Sequence, residues 1–199
     1  MGNKMEQYIE EETLGKIDNQ STLIFDLDGT LVNTDNANFL AYNEAVLKIK
    51  GLDLDLLYSD AERFTREKLK KIIPSITELE YIKIIEIKDN VFHKYLNKTK
   101  INIIYLDFIR QYSKTNKIIL ATNSSKVRAE LILKFHNLAE MFDFIFYKED
   151  YHDYKIGKYE HVLNALKLNP KSVIIFDNEQ SELTNAQLSG IPAKNIMKS

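Results

Sequence analysis

Residues 23–35 read LIFDLDGTLVNTD. Two carboxylates, Asp26 and Asp28, stand two apart at the end of an apolar run, and Gly29 and Thr30 follow them. Paired acids at a rigid strand end can divide labour, one attacking and one moving protons. Other chemistry-bearing groups recur further on. Thr122, Asn123 and Ser124 follow the run KIILA (117–121), and Asp177 and Asn178 close the run SVIIFD (172–177). Lys155 and Lys158 stand where a loop leads into the segment 158–169. Carboxylates with an amide oxygen form a donor set for a hard cation such as Mg²⁺. A lysine, a hydroxyl and free backbone N–H groups suit a phosphate. Together they describe phosphoryl transfer, where most of the work is positioning and charge neutralisation.

The elements that must position these groups follow from periodicity. TLIFDL (22–27), KIILA (117–121), FDFIFY (142–147) and SVIIFD (172–177) are short, β-branched or aromatic runs of the kind that form buried strands. A last strand is expected near 193–197. Between them lie amphipathic segments of helical period. SSKVRAELILKFHN (124–137) carries Val127, Leu131 and Phe135 at steps of four, and KYEHVLNALKLN (158–169) carries Tyr159, Val162 and Leu166. EQSELTNAQLSG (179–190) stops at Gly190. Strands alternating with helices predict right-handed βαβ units on a parallel sheet. Ligands of such sheets bind beyond the carboxyl ends of the strands. With neighbouring strands about 5 Å apart, the polar strand ends converge.

One helical block interrupts this alternation. NANFLAYNEAVLKIK (36–50) puts Phe39, Tyr42, Val46 and Ile49 on one face before Gly51. A second helix is expected over 54–73, ending before Pro74. A third covers 77–98, with Thr77 and Glu80 spaced as a capping box. A fourth covers 102–114. The expected organisation is an N-terminal arm over 1–20, an α/β core of 21–35 and 112–199, and a helical cap inserted at 36–111. The fold class is therefore α/β, a Rossmann-like parallel sheet with an inserted helical cap.

Composition narrows the class. The chain has 199 residues, 44% of them hydrophobic, enough for a sizeable core. Lys and Arg number 27 against 29 Asp and Glu, a balance unlike that of a nucleic-acid binder. With no cysteine there is no disulfide and no thiolate zinc site. No apolar run has the length of a membrane span, and the N-terminus has no signal-peptide core. Met1-Gly2 begins like a myristoylation site, but Glu6 stands where a hydroxyl residue is needed. A cytoplasmic protein with no membrane partner is expected. The four histidines (93, 136, 152 and 161) show no ligand spacing. The basic stretch Arg63, Arg66, Lys68, Lys70 and Lys71 reads as a solvated helix face.

The motif DLDGT (26–30) after an apolar strand resembles the haloacid dehalogenase superfamily on its phosphatase side. ATNSS (121–125) resembles that family's second motif. Lys155, 22 residues before Asp177, resembles the third-motif lysine, with Lys158 the alternative. FDNEQSE (176–182) sits at the fourth, acidic motif, and the likeness covers roughly 22–192.

The resemblance implies an Mg²⁺-dependent phosphatase for a small phosphorylated metabolite. Asp26 would be the nucleophile that becomes an aspartyl-phosphate, and Asp28 the acid and base. Thr122, Asn123 and Lys155 would hold the phosphate. Asp26, the Asp28 carbonyl and Asn178 would hold the metal, or alternatively Asp177 or Glu182 would supply the carboxylate that Asn178 lacks. Asn178 departs from the family pattern, which usually places an acid there. Asp28 separates the phosphatase branch from the dehalogenases, because a departing halide needs no proton. Two rivals remain: a phosphomutase of the same superfamily, and a catalytically weak binding or regulatory protein that keeps the fold. Turnover of a generic phosphate ester separates the last from the others.

Overall fold

In the computed structural model, residues 17–54, 63–151 and 156–199 are described. They divide into two compact units, one built from the chain up to Val32 and from Ile101 onward, the other from Asn33–Lys100.

The first unit is organised by a five-stranded sheet. Its strands are β1 (Thr22–Phe25), β4 (Lys117–Ala121), β5 (Phe144–Phe146), β6 (Val173–Asp177) and β7 (Ile196–Lys198). β2 (Val32–Asn33) and β3 (Lys100–Ile101) pair separately, and the boundary between the units falls inside both. The large sheet has the order β5-β4-β1-β6-β7 and every pairing is parallel. β1 is central and wholly buried, which is why its sequence is an unbroken apolar run rather than an alternation.

Side-chain alternation gives each face its own core. Ile24, Ile119, Ala121, Val173 and Ile175 face one way. They pack on Tyr159, Val162 and Leu163 of a helix spanning Lys158–Leu166 and on Ala186 of the helix Gln180–Leu188. On the other face Phe25 and Phe176 stack side by side with ring centroids 4.6 Å apart. Tyr105 and Phe108 of the helix Ile103–Tyr112 meet both rings edge-on. Edge-to-face and offset contacts of this kind add to the burial of large rings.

That aromatic packing corrects the expected boundary at 111. The helix Ile103–Tyr112 belongs with the sheet, because its apolar residues have their partners there, and the helical unit ends at Lys100. The face assigned to the segment 124–137 is also corrected. The helix Lys126–Phe135 buries Ala129, Ile132 and Leu133, while Val127 is 71% exposed and Phe135 is exposed.

The helical unit contains α-helices over Asp35–Lys50, Arg66–Ile72 and Glu78–Val91, the last continued by a 3₁₀ segment to Lys98. Phe39, Tyr42 and Val46 form its core with Phe64, Leu69 and Ile84. The capping box is present: the Thr77 hydroxyl accepts from the Glu80 N–H, and Glu80 accepts from the Thr77 N–H. Those bonds and Lys50 hold the Glu80 carboxyl down at about 2. The helix expected over 54–73 is shorter. Its residues 55–62 lie outside the described ones, and the helix begins at Arg66 with Thr65 as its cap. Residues 1–16 of the expected arm also lie outside the described residues.

No helix among the described residues is long and apolar enough to cross a membrane.

Candidate active site

The site is built where β1, β4 and β6 end together. β1 and β6 run in register, Phe25 beside Phe176, and the Asp26 N–H continues the ladder by donating to the Phe176 carbonyl at 2.9 Å. Period-two alternation then decides where the acids point. Asp26 follows Ile24, and Asp177 follows Val173 and Ile175, on the face covered by the helix Lys158–Leu166. Lys158 is the first residue of that helix. Its Nζ reaches Asp26 Oδ1 at 2.7 Å and Asp177 Oδ2 at 2.8 Å.

Asp177 is fully buried and both its oxygens are engaged. Oδ2 also accepts from the Tyr159 hydroxyl at 2.7 Å, and Oδ1 accepts from the Glu179 N–H at 2.8 Å. This carboxylate is a clamp on Lys158. Burial works against the Lys158 ammonium, but Asp26 and Asp177 outweigh it and hold its pKa well above the ordinary value. Burial pushes the Tyr159 phenol well above its ordinary range, so it remains a donor.

Asp28 has partners of its own. Its Oδ2 accepts from the Ser124 hydroxyl at 2.6 Å and its Oδ1 from the Arg128 guanidinium at 2.8 Å. The turn after it is tight: the Gly29 N–H donates to the Val32 carbonyl, and the Val32 N–H to the Leu27 carbonyl. Gly29 has φ +91°, and a Cβ there would lie 2.4 Å from Asn178 Nδ2. Only glycine lets the Asn178 amide press against this turn.

The loop after β4 is braced from below. The Thr122 hydroxyl accepts from the Ser124 N–H at 3.1 Å, which leaves its own hydrogen for another acceptor. The Tyr151 hydroxyl lies 2.6 Å from the Thr122 carbonyl and 2.7 Å from Asn123 Oδ1. Asn123 is exposed, with its Nδ2 side not engaged in that contact.

A family model for haloacid dehalogenase-like hydrolases matches residues 23–196. The chain belongs to that family. Solved structures share the family fold. A haloacid dehalogenase-like hydrolase from Streptococcus pneumoniae superposes with a TM-score of 0.68 at 17% identity, covering 88% of this chain and 83% of that one. CbbY from Rhodobacter sphaeroides, solved in complex with phosphate, gives 0.65 at 19% identity, covering 86% and 83%. A protein assigned as a beta-phosphoglucomutase from Thermotoga maritima gives 0.63 at 24% identity, covering 88% and 83%. A comparison with curated proteins found no match.

The haloacid dehalogenase fold implies Mg²⁺, and the donor chemistry accommodates it. Among the described residues, the Asp26 and Asp177 carboxylates meet Lys158 and the Asp28 carboxylate meets Arg128. Burial, with Asp177 and Asp28 nearby, pushes the Asp26 carboxyl up to about 7 despite Lys158. Burial favours the neutral acid, and a bound cation would favour the carboxylate. The donors at hand are hard oxygens: Asp26, the Asp28 carbonyl and the Asn178 amide. Asp177, expected as a ligand, has Oδ2 engaged by Lys158 and Tyr159 and Oδ1 by the Glu179 N–H. Among the described residues no group of three His, Asp or Glu side chains is arranged to hold a metal, so a cation here would rest on one carboxylate with neutral oxygens. Glu182 lies in the first turn of the helix Gln180–Leu188, and its charge acts on the Tyr151 phenol.

Lys155 lies outside the described residues, and among the described ones the lysine that meets Asp26 is Lys158. Sequence reasoning did not reach Arg128, Tyr151 or Tyr159. Arg128 had a signal: it stands four before Ile132, which the helix buries.

Proposed function

We propose that this chain is an Mg²⁺-dependent phosphatase that hydrolyses a small phosphorylated metabolite through an aspartyl-phosphate. One observation carries the reading: two acids two residues apart stand in separate environments. Asp26 is paired with a buried lysine, and Asp28 is held by a hydroxyl and a guanidinium. Acids so separated suit different roles.

In this reading an Asp26 oxygen attacks phosphorus and the bond to the leaving oxygen breaks. Asp28 gives that oxygen its proton. Asp28 then takes a proton from water as the water attacks the aspartyl-phosphate, which releases phosphate and restores Asp26. Lys158 offsets the charge on the phosphoryl oxygens and holds Asp26 in line. The Thr122 hydroxyl donates to one phosphoryl oxygen, and the Tyr151 brace keeps the Thr122–Asn123 loop in place. Asp26, the Asp28 carbonyl and Asn178 would hold Mg²⁺, which would supply positive charge against the transferring group. A positioned acid contributes about 10²–10⁴-fold in such reactions.

The likeness to the Thermotoga maritima protein favours a second reading, phosphoryl transfer within a sugar phosphate, which uses the same core residues. A sugar-phosphate isomerisation assay separates the two.

Hydrolysis of p-nitrophenyl phosphate with and without Mg²⁺, in the parent and in Asp26→Asn, tests the main reading. Metal-dependent turnover that the variant lacks supports it. Turnover that survives Asp26→Asn overturns it.

A further inference from the structure

We infer that Arg128 is a positioning residue for the proton-transfer step, fixing the Asp28 carboxyl group through both halves of the reaction. The inference rests on the phosphatase reading above and goes beyond it by giving a role to a residue outside the motifs.

Asp28 and Arg128 are both sheltered, with side chains 9% and 13% exposed. The carboxyl group is gripped from two elements. Ser124 Oγ approaches Oδ2 from the loop after β4, and Arg128 Nη2 approaches Oδ1 from the helix Lys126–Phe135. Contacts on both oxygens restrict both side-chain torsions of an aspartate, whose terminal torsion is otherwise broad.

The division between the oxygens matches the chemistry. A guanidinium is always a donor and never an acceptor. Oδ1 can accept from it whether Asp28 is a carboxylate or a neutral acid. A hydroxyl donates or accepts as required, so Ser124 remains compatible with Oδ2 in both states. The proton therefore travels on Oδ2 while Arg128 keeps the group aligned. In the first half the Oδ2–H bond breaks as the leaving oxygen gains the proton. In the second half Oδ2 gains a proton from water as that water's oxygen bonds to phosphorus. No further co-reactant is needed.

The leaving group tests this directly. p-Nitrophenolate departs without a proton, whereas an alkoxide needs one. kcat/KM reports steps up to the first irreversible one, here transfer to Asp26. In Arg128→Ala, kcat/KM for an alkyl phosphate such as glycerol 3-phosphate should fall about 10–100-fold, a part of what a positioned acid supplies. For p-nitrophenyl phosphate it should fall by a clearly smaller factor, and a parental thermal melt shows that the variant folds.

Equal losses on both esters in a variant with a parental thermal melt would overturn the inference, as would an alkyl-ester rate that is unchanged or rises. If Arg128→Ala does not fold, Arg128→Lys gives the same test, because a lysine keeps the charge but loses the planar fork. A parent that hydrolyses neither ester takes down the phosphatase reading and this inference with it. An active parent whose variant shows no leaving-group selectivity takes down this inference alone.

Discussion

Lys158 Nζ lies 2.7 Å from Asp26 Oδ1 and 2.8 Å from Asp177 Oδ2, and the lysine and Asp177 are both buried. Removing one partner of a buried ionic group leaves the others uncompensated, at about 3–5 kcal/mol. Lys158→Met keeps the apolar stem and discards the charge. It is expected to lower stability by about that amount and kcat by about 10²–10³-fold, the loss seen when one electrostatic donor is removed. Lys155→Ala is expected to stay near the parent in both respects. Denaturant unfolding and p-nitrophenyl phosphate turnover check the pair. A large loss in Lys155→Ala with a mild one in Lys158→Met would move the phosphate lysine to 155.

The Asp26 carboxyl, raised to about 7 from 3.8 chiefly by burial, gives the metal-free protein a definite pH dependence. Its folded pKa lies above its unfolded one, so the folded state binds the proton more tightly. The associated stability is fully present below about pH 4 and is lost as pH rises through about 7. Asp26→Asn cannot ionise and escapes this loss. Relative to the parent in EDTA, the variant should gain on the order of 2 kcal/mol between pH 5 and pH 8. Thermal melts at the two pH values measure it, and a difference that does not move with pH refutes it.

Gly29 combines φ +91° with an approach that a methyl group cannot share, 2.4 Å from Asn178 Nδ2. Gly51 is the natural control, because it has φ +65° and nothing within 4 Å of an added Cβ. Gly51→Ala should cost about 1 kcal/mol from backbone strain alone. Gly29→Ala should cost about 1–3 kcal/mol and also weaken Mg²⁺ binding, since Asn178 must move. Equal effects of the two substitutions would show that the Asn178 contact does not matter.

Much of this was legible in the chain. The apolar run Leu23–Phe25 is what a central strand buried on both faces looks like, and the acids after it mark the ligand end of the sheet. The alternation Val173, Ile175, Asp177 already placed that acid on the helix-covered face, where it meets Lys158 and Tyr159. The spacing that pointed to Lys155 falls on residues outside the described ones. The helix Lys126–Phe135 was harder. Val127, Leu131 and Phe135 repeat at steps of four and resemble a core stripe, yet the buried set is Ala129, Ile132 and Leu133. Periodicity finds a helix without telling which of two adjacent stripes has a partner, and the stripe left aside carries Arg128. The boundary at 111 failed for the same reason. Tyr105 and Phe108 announce an amphipathic helix, but only the rings of Phe25 and Phe176 show what it covers.

Asn178 is where the electrostatics of the site are most open to change. Asp177 is committed to Lys158, Tyr159 and the Glu179 N–H, and in the proposed reading Asp26 is the carboxylate for a cation and Asn178 a neutral oxygen donor. Ligand charge is one of the terms that set affinity for hard cations. Asn178→Asp adds a negative charge beside the Gly29 turn with little change of shape. Without metal the added charge stands next to the Asp177 carboxylate, so the variant should melt lower than the parent in EDTA. With Mg²⁺ the order should reverse, with the dissociation constant falling about tenfold, a change of about 1.4 kcal/mol. Titration calorimetry reads the affinity and the pair of melts reads the reversal, neither depending on turnover. If the variant binds Mg²⁺ no more tightly than the parent, Asn178 is not a ligand and the cation rests on other oxygens.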